Sequence, residues 1–165
     1  MSRLLTISHE TFVTRTGRKE KRIIVRHPGS AAALPVDERG RVLLVSQYRI
    51  PANGRLWEIP AGKVDDGESV LQGAKRELAE ETGYRAKRWS KLVGFYPSPG
   101  FLAEFITVYL AQDLRPGESN LGDGEDIELR WFKPDEMLSG IRSGKIRDAK
   151  TIAGYLAFLE RIRSR

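Results

Sequence analysis

The sequence contains no cysteine, and this absence excludes two kinds of chemistry. Disulfide bonds cannot form, and catalysis by a cysteine nucleophile is ruled out. A chain without thiols fits the reducing cytoplasm, which is where we expect this protein to work.

Long apolar runs are also missing from the sequence. No stretch approaches the roughly 20 apolar residues that a membrane-spanning helix needs, and the apolar stretch near the N-terminus is too short for a secretory signal. The 165 residues are 40% hydrophobic and 30% charged, as in an ordinary soluble protein. We therefore expect one domain over residues 1–165, with its own core and no membrane partner.

Positive charge exceeds negative charge, so that the net charge is +6. Much of the excess lies near the two ends of the chain, at Arg15, Arg18, Lys19, Lys21, Arg22, Arg26, Arg161, Arg163 and Arg165. Such clusters can mark a nucleic-acid surface, but neither interleaved aromatic residues nor a helix-turn-helix pattern accompanies them. The simpler interpretation is a basic surface that attracts a small anionic substrate.

Alternation and turn signals predict strands at residues 4–14, 21–27, 31–35, 42–47, 56–59, 86–95, 104–111 and 127–132. Helical periodicity predicts helices over residues 69–82 and 148–162, with a short helix that begins at Pro134. Residues 96–101 form a proline-rich loop, and residues 114–124 a polar loop rich in glycine. The chain contains no internal repeat.

The predicted helix 69–82 carries three glutamates on one face. Glu77, Glu80 and Glu81 stand at i, i+3 and i+4, within an arc of about 100°. The opposite edge is apolar and faces the core, through Leu71, Ala74 and Leu78. An acidic face can simply be solvated, or it can bind a hard divalent cation such as Mg²⁺, which prefers oxygen ligands.

The residues around this helix favour the second interpretation. Residues 65–67 (Asp-Asp-Gly) are a turn signal, and Gly83 stands where a left-handed helix cap is expected. Arg76 can pair with Glu68 or Glu80, and Gly62 allows the backbone to approach a ligand closely.

Residues 62–84 resemble the Nudix box, Gly-x5-Glu-x7-Arg-Glu-U-x-Glu-Glu-x-Gly-U, where U is a bulky apolar residue. The matching positions are Gly62, Glu68, Arg76, Glu77, Leu78, Glu80, Glu81 and Gly83, with the aromatic Tyr84 as a looser fit. The resemblance implies an α/β/α sandwich around a mixed sheet, here with an added N-terminal antiparallel hairpin.

The segments that flank the box resemble the ADP-ribose pyrophosphatase subfamily. These are residues 47–49 and 56–62 upstream, and residues 97–101 followed by Glu104 downstream. The resemblance implies a homodimer in which the strands of residues 1–40 are swapped between subunits; alternatively, the hairpin packs on its own domain. It also implies hydrolysis of ADP-ribose to AMP and ribose 5-phosphate.

Fold and box do not by themselves select the substrate. Other Nudix specificities stay open, namely GDP-mannose or another nucleotide sugar, NADH or FAD, and diadenosine polyphosphates. A non-catalytic module that senses a ligand is a further alternative, although the box keeps every acidic position.

The resemblance also assigns roles to individual residues. Glu77, Glu81 and the carbonyl oxygen of Ala61 would bind Mg²⁺, or Mn²⁺ in its place, while Glu80 would share the ion or orient a bound water. Glu104 would be an additional ligand. Glu68 and Arg76 would form a mainly structural ion pair.

The remaining roles concern the general base and the substrate. Glu80 and Glu81 would take part in catalysis with Glu125, the expected general base, for which Asp126 and Glu128 are alternatives. Substrate binding is assigned to Arg49, Glu58 and Phe101; Trp57 is more typical of the core.

Overall fold

A computed structural model describes residues 5–118 and 126–164 of this chain. Its strands are β1 (Thr6–Val13), β2 (Lys19–Arg26), β3 (Ser30–Pro35), β4 (Val42–Arg49), β5 (Gly54–Glu58), β6 (Ala61–Lys63), β7 (Arg85–Phe95), β8 (Ile106–Arg115) and β9 (Glu128–Phe132). Its helices are α1 (Val70–Thr82), α2 (Pro134–Arg142) and α3 (Ala149–Arg163), with a 3₁₀ turn at Ile50–Ala52. Within the described ranges, no helix is long and apolar enough to cross a membrane.

The central sheet is mixed, with strand order β6-β3-β8-β7. Strands β3 and β8 run parallel, whereas β3 with β6 and β7 with β8 pair antiparallel. A second, antiparallel sheet has the order β5-β4-β9, and β1 with β2 forms a separate hairpin. The predicted mixed sheet and N-terminal hairpin are thus confirmed.

Strand β3 lies at the centre and is buried on both faces. On one face Ala33 packs with Leu78 of α1 and with Ala111. On the other face Leu34 belongs to a larger core that includes Tyr155 of α3. Because successive side chains of a strand point to opposite faces, α1 and α3 cover the sheet from two sides, which gives the predicted α/β/α arrangement.

Two parts of the fold depart from the prediction, besides shifts of one or two residues at the ends of other elements. Strand β6 was not predicted, because three residues that include Gly62 carry no periodic pattern; it forms through pairing with β3, where Ala61 lies opposite Ala32. Strand β8 continues to Arg115, within the segment predicted to be a loop, because residues up to Arg115 pair with β7. In both places strand pairing outweighs local composition.

The N-terminal hairpin pairs from Thr6 opposite Arg26 to Val13 opposite Lys19. It joins the rest of the molecule through Val25, whose N–H donates to the Phe101 carbonyl at 2.7 Å and whose carbonyl accepts from Ala103 N–H at 2.9 Å. The chain between the strands turns at Gly17, which has a positive φ of 80°. The hairpin therefore contacts the proline-rich loop predicted at residues 96–101.

Candidate active site

Helix α1 presents the box residues, and both of its ends are capped. Ser69 Oγ accepts from Gln72 N–H at 3.3 Å while Gln72 Oε1 accepts from Ser69 N–H at 2.8 Å, which is a capping box. At the other end Gly83 adopts a left-handed conformation with φ 73°. The predicted helix and its glycine cap are confirmed, and they place the glutamates on one face of a well-defined helix.

Two of the three glutamates lie against strand β6. Glu77 and Glu81 are only 9% and 8% exposed, and Glu81 Oε2 accepts from Ala61 N–H at 3.3 Å. A Cβ atom on Gly62 would lie 2.1 Å from Glu77 Oε1, so the position tolerates no side chain. The absence of a side chain at Gly62 is therefore what lets a buried carboxylate rest on the backbone of β6.

Arg76 links the loop before α1 to the acidic face. Its guanidinium donates to Glu68 from Nε and Nη2, both at 3.1 Å, and to the Lys63 carbonyl at 2.9 Å. Nη1 also donates to Glu77 at 2.6 Å and to Glu80 at 3.0 Å. The predicted pair of Glu68 and Arg76 is present, and it is part of a wider network.

The charges in this network stabilise one another. The hydrogen bonds to Glu68 and then to Glu77 raise the pKa of Arg76 above its ordinary value. The hydrogen bond from Arg76 lowers the pKa of Glu68, against the opposing effect of burial. Both groups stay ionised across the neutral range, so the loop remains tied to the helix.

A cleft of about 360 Å³ opens beside β6. It brings together three residues that the sequence assigned to the site, namely Arg49 at the end of β4, Ala61, and Glu104 before β8. Gly62 and Pro97 also line it. Residues far apart in sequence thus meet at the backbone of β6. The same backbone lies against Glu77 at Gly62 and donates to Glu81 from Ala61 N–H.

Glu58 is a buried carboxylate that holds Arg49 in place. Its side chain is 3% exposed, and it accepts from Arg49 Nε at 2.8 Å and from Nη2 at 2.9 Å. Lys150 Nζ also pairs with it. Burial alone would raise the pKa of Glu58, but the hydrogen bond from Arg49 and the charge of Lys150 outweigh it and lower the pKa.

Sequence reasoning missed three polar residues that line the cleft, namely Ser30, Asp148 and Lys150. Asp148 caps α3, and its position just before an amphipathic helix is a signal that could have identified the cap. Lys150 Nζ lies 3.0 Å from Asp148 Oδ1 besides its contact with Glu58. Its approach to residues 58–62 depends on tertiary packing, which no local pattern reveals.

One predicted substrate-binding residue, Phe101, does not line this cleft. Phe101 is 52% exposed and lines a second cleft with Arg26 and Tyr96, between the hairpin and the proline-rich loop. Trp57 packs edge-on against Phe132 at 5.1 Å between ring centroids, in agreement with a core position.

Two of the three candidates for the general base, Asp126 and Glu128, do not line the cleft. Glu125 falls outside the described residues. Asp126 Oδ2 accepts from Arg55 at 2.6 Å, and Glu128 lies in β9 opposite Ser46.

The donor atoms at the site suit a divalent cation. Carboxylate oxygens of Glu77 and Glu81 lie beside the backbone of Ala61 and Gly62, and oxygen ligands are what Mg²⁺ prefers. In the described ranges, however, no three Asp, Glu, His or Cys side chains are gathered closely enough to bind one ion together. Glu80 contacts Arg76 here, and Glu104 accepts from Ser30 Oγ at 2.5 Å.

Comparisons with known proteins identify the relatives of this chain. The profile of the NUDIX domain matches residues 26–155. The ADP-ribose pyrophosphatase of Bacillus subtilis (strain 168) is 42% identical over 137 residues, which are 82% of this chain and 74% of that protein. The methanol dehydrogenase activator of Bacillus methanolicus is 39% identical over 151 residues, 89% of this chain and 82% of that protein.

The fold has a counterpart among solved structures as well. The crystal structure of an ADP compounds hydrolase superposes with a TM-score of 0.83 and covers 99% of this chain and 89% of its own. At 23% identity this likeness concerns the fold alone. The box residues, the fold and the matched profile agree, and the chain belongs to the Nudix family.

Proposed function

We propose that this protein is a Mg²⁺-dependent pyrophosphatase that hydrolyses ADP-ribose to AMP and ribose 5-phosphate. The observation that carries the proposal is the cleft in which Arg49, Ala61 and Glu104 converge beside the buried Glu77 and Glu81. The 42% identity to a protein named ADP-ribose pyrophosphatase supports this choice among nucleotide substrates.

In this proposal Glu77, Glu81 and the Ala61 carbonyl bind the cation, with Glu80 and Glu104 as further ligands. Mn²⁺ would suit the same oxygen donors. The bound cation would neutralise the diphosphate charge and lower the pKa of a water molecule. Glu80 and Glu81 would belong to the catalytic group as well, on the helix face that would meet the diphosphate.

Two cations of the cleft, Arg49 and Lys150, would hold the diphosphate. The hydrogen bond to Glu58 raises the pKa of Arg49, so the guanidinium is charged at every working pH. Glu58 fixes both nitrogens of the guanidinium that bond to it, and a fixed planar guanidinium can bind a phosphate with two parallel hydrogen bonds. We assign Glu58 to orienting Arg49, and to contact with either the terminal ribose or the base.

For the general base we retain Glu125 as the proposal, with Asp126 and Glu128 as alternatives. The contact of Asp126 with Arg55 and the place of Glu128 in the β9 ladder support Glu125 over its neighbours. The base would remove a proton from the attacking water.

We also propose a cytoplasmic homodimer with swapped N-terminal strands. Apolar side chains on the hairpin support it, since Ile7 is 69% exposed and Val13 is 61% exposed. Phe101, in the cleft beside the hairpin, would then line a substrate pocket completed by the second subunit. Light scattering on the full chain, compared with a variant lacking residues 1–26, tests the assembly; a full chain of monomer mass at micromolar concentration contradicts it.

The test of the activity is product analysis in ¹⁸O-labelled water. We expect ADP-ribose to give AMP and ribose 5-phosphate in the presence of Mg²⁺ and no turnover when the metal is chelated. The same assay is run with GDP-mannose, NADH, FAD and diadenosine polyphosphates. A kcat/KM for any of these well above that for ADP-ribose would reassign the substrate, and inactivity towards all of them would support the non-catalytic module.

A further inference from the structure

Thr151, in the first turn of α3, is a wholly buried polar residue that directly follows the cleft-lining residues 148–150. Its side chain is 0% exposed. Its hydroxyl accepts from Ile59 N–H at 2.9 Å and donates to Asp148 Oδ2 at 2.5 Å. The hydroxyl thus joins helix α3 to the segment between β5 and β6, two parts of the chain that lie far apart in sequence.

The same segment is held a second time through its neighbour, Glu58. Lys150 Nζ lies 3.0 Å from Asp148 Oδ1 and also pairs with the carboxylate of Glu58. Asp148 Oδ2 accepts in addition from Thr151 N–H at 2.9 Å. One aspartate therefore holds residues 58 and 59 by two routes, a charged side chain and a backbone N–H.

The segment that Thr151 holds leads directly into the cleft. After Ile59 the chain passes through Pro60, whose carbonyl accepts from Ala33 N–H at 2.9 Å, and then reaches Ala61 and Gly62. There Glu81 accepts from Ala61 N–H, and Glu77 lies against Gly62. A movement at Ile59 would consequently shift the Ala61 carbonyl relative to both carboxylates.

We propose that Thr151 is a positioning residue, which sets the distance between the Ala61 backbone and the carboxylates of Glu77 and Glu81. The inference depends on the proposed function, because those three groups are the proposed cation ligands. Thr151 itself is buried away from solvent and acts through Ile59. Residues that orient metal ligands in this indirect way typically change metal affinity or activity by about 10–100-fold when they are mutated.

The experiment measures Mn²⁺ binding without nucleotide, by the electron paramagnetic resonance signal of the free ion. In Thr151→Val the shape of the side chain is kept while both hydrogen bonds of the hydroxyl are lost, and we expect the Kd for Mn²⁺ to rise about tenfold. In Thr151→Ser the hydroxyl is retained, and we expect a Kd within about twofold of wild type. With ADP-ribose, the Val variant should show a lower kcat rather than a higher KM.

Tyr155→Phe is the matched control, because it removes another hydroxyl of α3. The Tyr155 hydroxyl donates to the Pro134 carbonyl at 3.2 Å and so anchors the helix away from residues 58–62. If Thr151 only stabilises α3, Tyr155→Phe will weaken Mn²⁺ binding as much as Thr151→Val does, which overturns the proposal. Unchanged Mn²⁺ binding by folded Thr151→Val overturns it too.

A second variant covers the case in which Thr151→Val does not fold. Thr151→Cys keeps a weak donor in place of the hydroxyl, and we expect about a threefold rise in the Kd for Mn²⁺. A Kd equal to wild type in that variant overturns the inference. Failure of the wild type to bind Mn²⁺ at all removes the proposed function as well, whereas equal binding by wild type and Thr151→Val removes this inference alone.

Discussion

The N-terminal hairpin and the cleft both contain arginine–glutamate pairs, but the two sets differ in burial. On the hairpin, the side chains of Arg22 and Glu20 are 54% and 25% exposed. In the cleft, the Glu58 side chain that pairs with Arg49 is 3% exposed. By contact distance alone these pairs would be judged equally strong. Their difference in burial predicts different losses of stability when one partner is removed.

The difference follows from solvation. A charge that loses its partner on the hairpin is solvated by water at once, so the pair contributes about 0–1 kcal/mol. A buried carboxylate that loses its cation has no such alternative, and breaking a buried pair typically costs about 3–5 kcal/mol. The cleft should therefore be sensitive to single charge changes that the hairpin tolerates.

The largest expected effect is on activity. Glu81→Gln keeps the size of the side chain but removes the charge proposed to bind the cation, and we expect kcat for ADP-ribose to fall by a factor on the order of 100 or more. Glu20→Gln makes the same chemical change on the hairpin and should leave kcat as in wild type. Steady-state kinetics at saturating Mg²⁺ provides the measurement, and equal activity of the two variants would contradict the assigned role of Glu81.

The largest expected effect on stability is at Glu58. Glu58→Gln leaves Arg49 and Lys150 around a neutral amide, and we expect the free energy of unfolding at pH 7 to fall by about 3 kcal/mol. Urea denaturation followed by circular dichroism measures the change. If Glu20→Gln lowers the free energy of unfolding by as much as Glu58→Gln does, burial does not determine how much these pairs stabilise the fold.

The same variant also predicts a pH dependence. The pKa of Glu58 in the folded protein is below its ordinary value of 4.5, so ionised Glu58 stabilises the fold above that pH. The contribution is lost as the pH falls through the folded pKa. The difference in unfolding free energy between wild type and Glu58→Gln should therefore be greatest near pH 7 and narrow below pH 4.5; a difference that widens in acid would contradict the direction of the shift.

Helix α1 and its acidic face could be predicted from the sequence because the interactions that form them are local. The cap at Ser69, the glycine at position 83 and the i, i+4 spacing of Glu77 and Glu81 all lie within one segment. Strand β6 and the contact of Lys150 with Glu58 depend on chain segments that meet only after folding. The sequence therefore predicts the helix and the face on which its glutamates lie. It does not predict that Lys150, distant in sequence, pairs with Glu58.

A smaller loss of stability is expected in the network around Arg76. Its guanidinium donates to Glu68 through two nitrogens and to the Lys63 carbonyl, and 27% of the side chain is exposed. Arg76→Lys keeps the charge but loses the fork, and we expect a decrease of about 1–2 kcal/mol in the free energy of unfolding. Arg22→Lys is the matched control on the hairpin. Equal urea midpoints for these two variants would show that the geometry of the fork adds nothing to its charge.

The smallest effect is expected for the hairpin pair itself. Arg22 contacts Glu20, which is partly exposed, and stacks over the exposed Phe12 ring at 5.6 Å from its centroid. Arg22→Ala should change the free energy of unfolding by less than about 1 kcal/mol. Salt screens exposed charges, so the difference from wild type should shrink further when the salt concentration is raised from about 0.05 M to about 1 M. This change shortens the Debye length from about 14 Å to about 3 Å. Urea denaturation at the two salt concentrations measures it, and a loss near that of Glu58→Gln would mean that the hairpin is buried against a second subunit in solution.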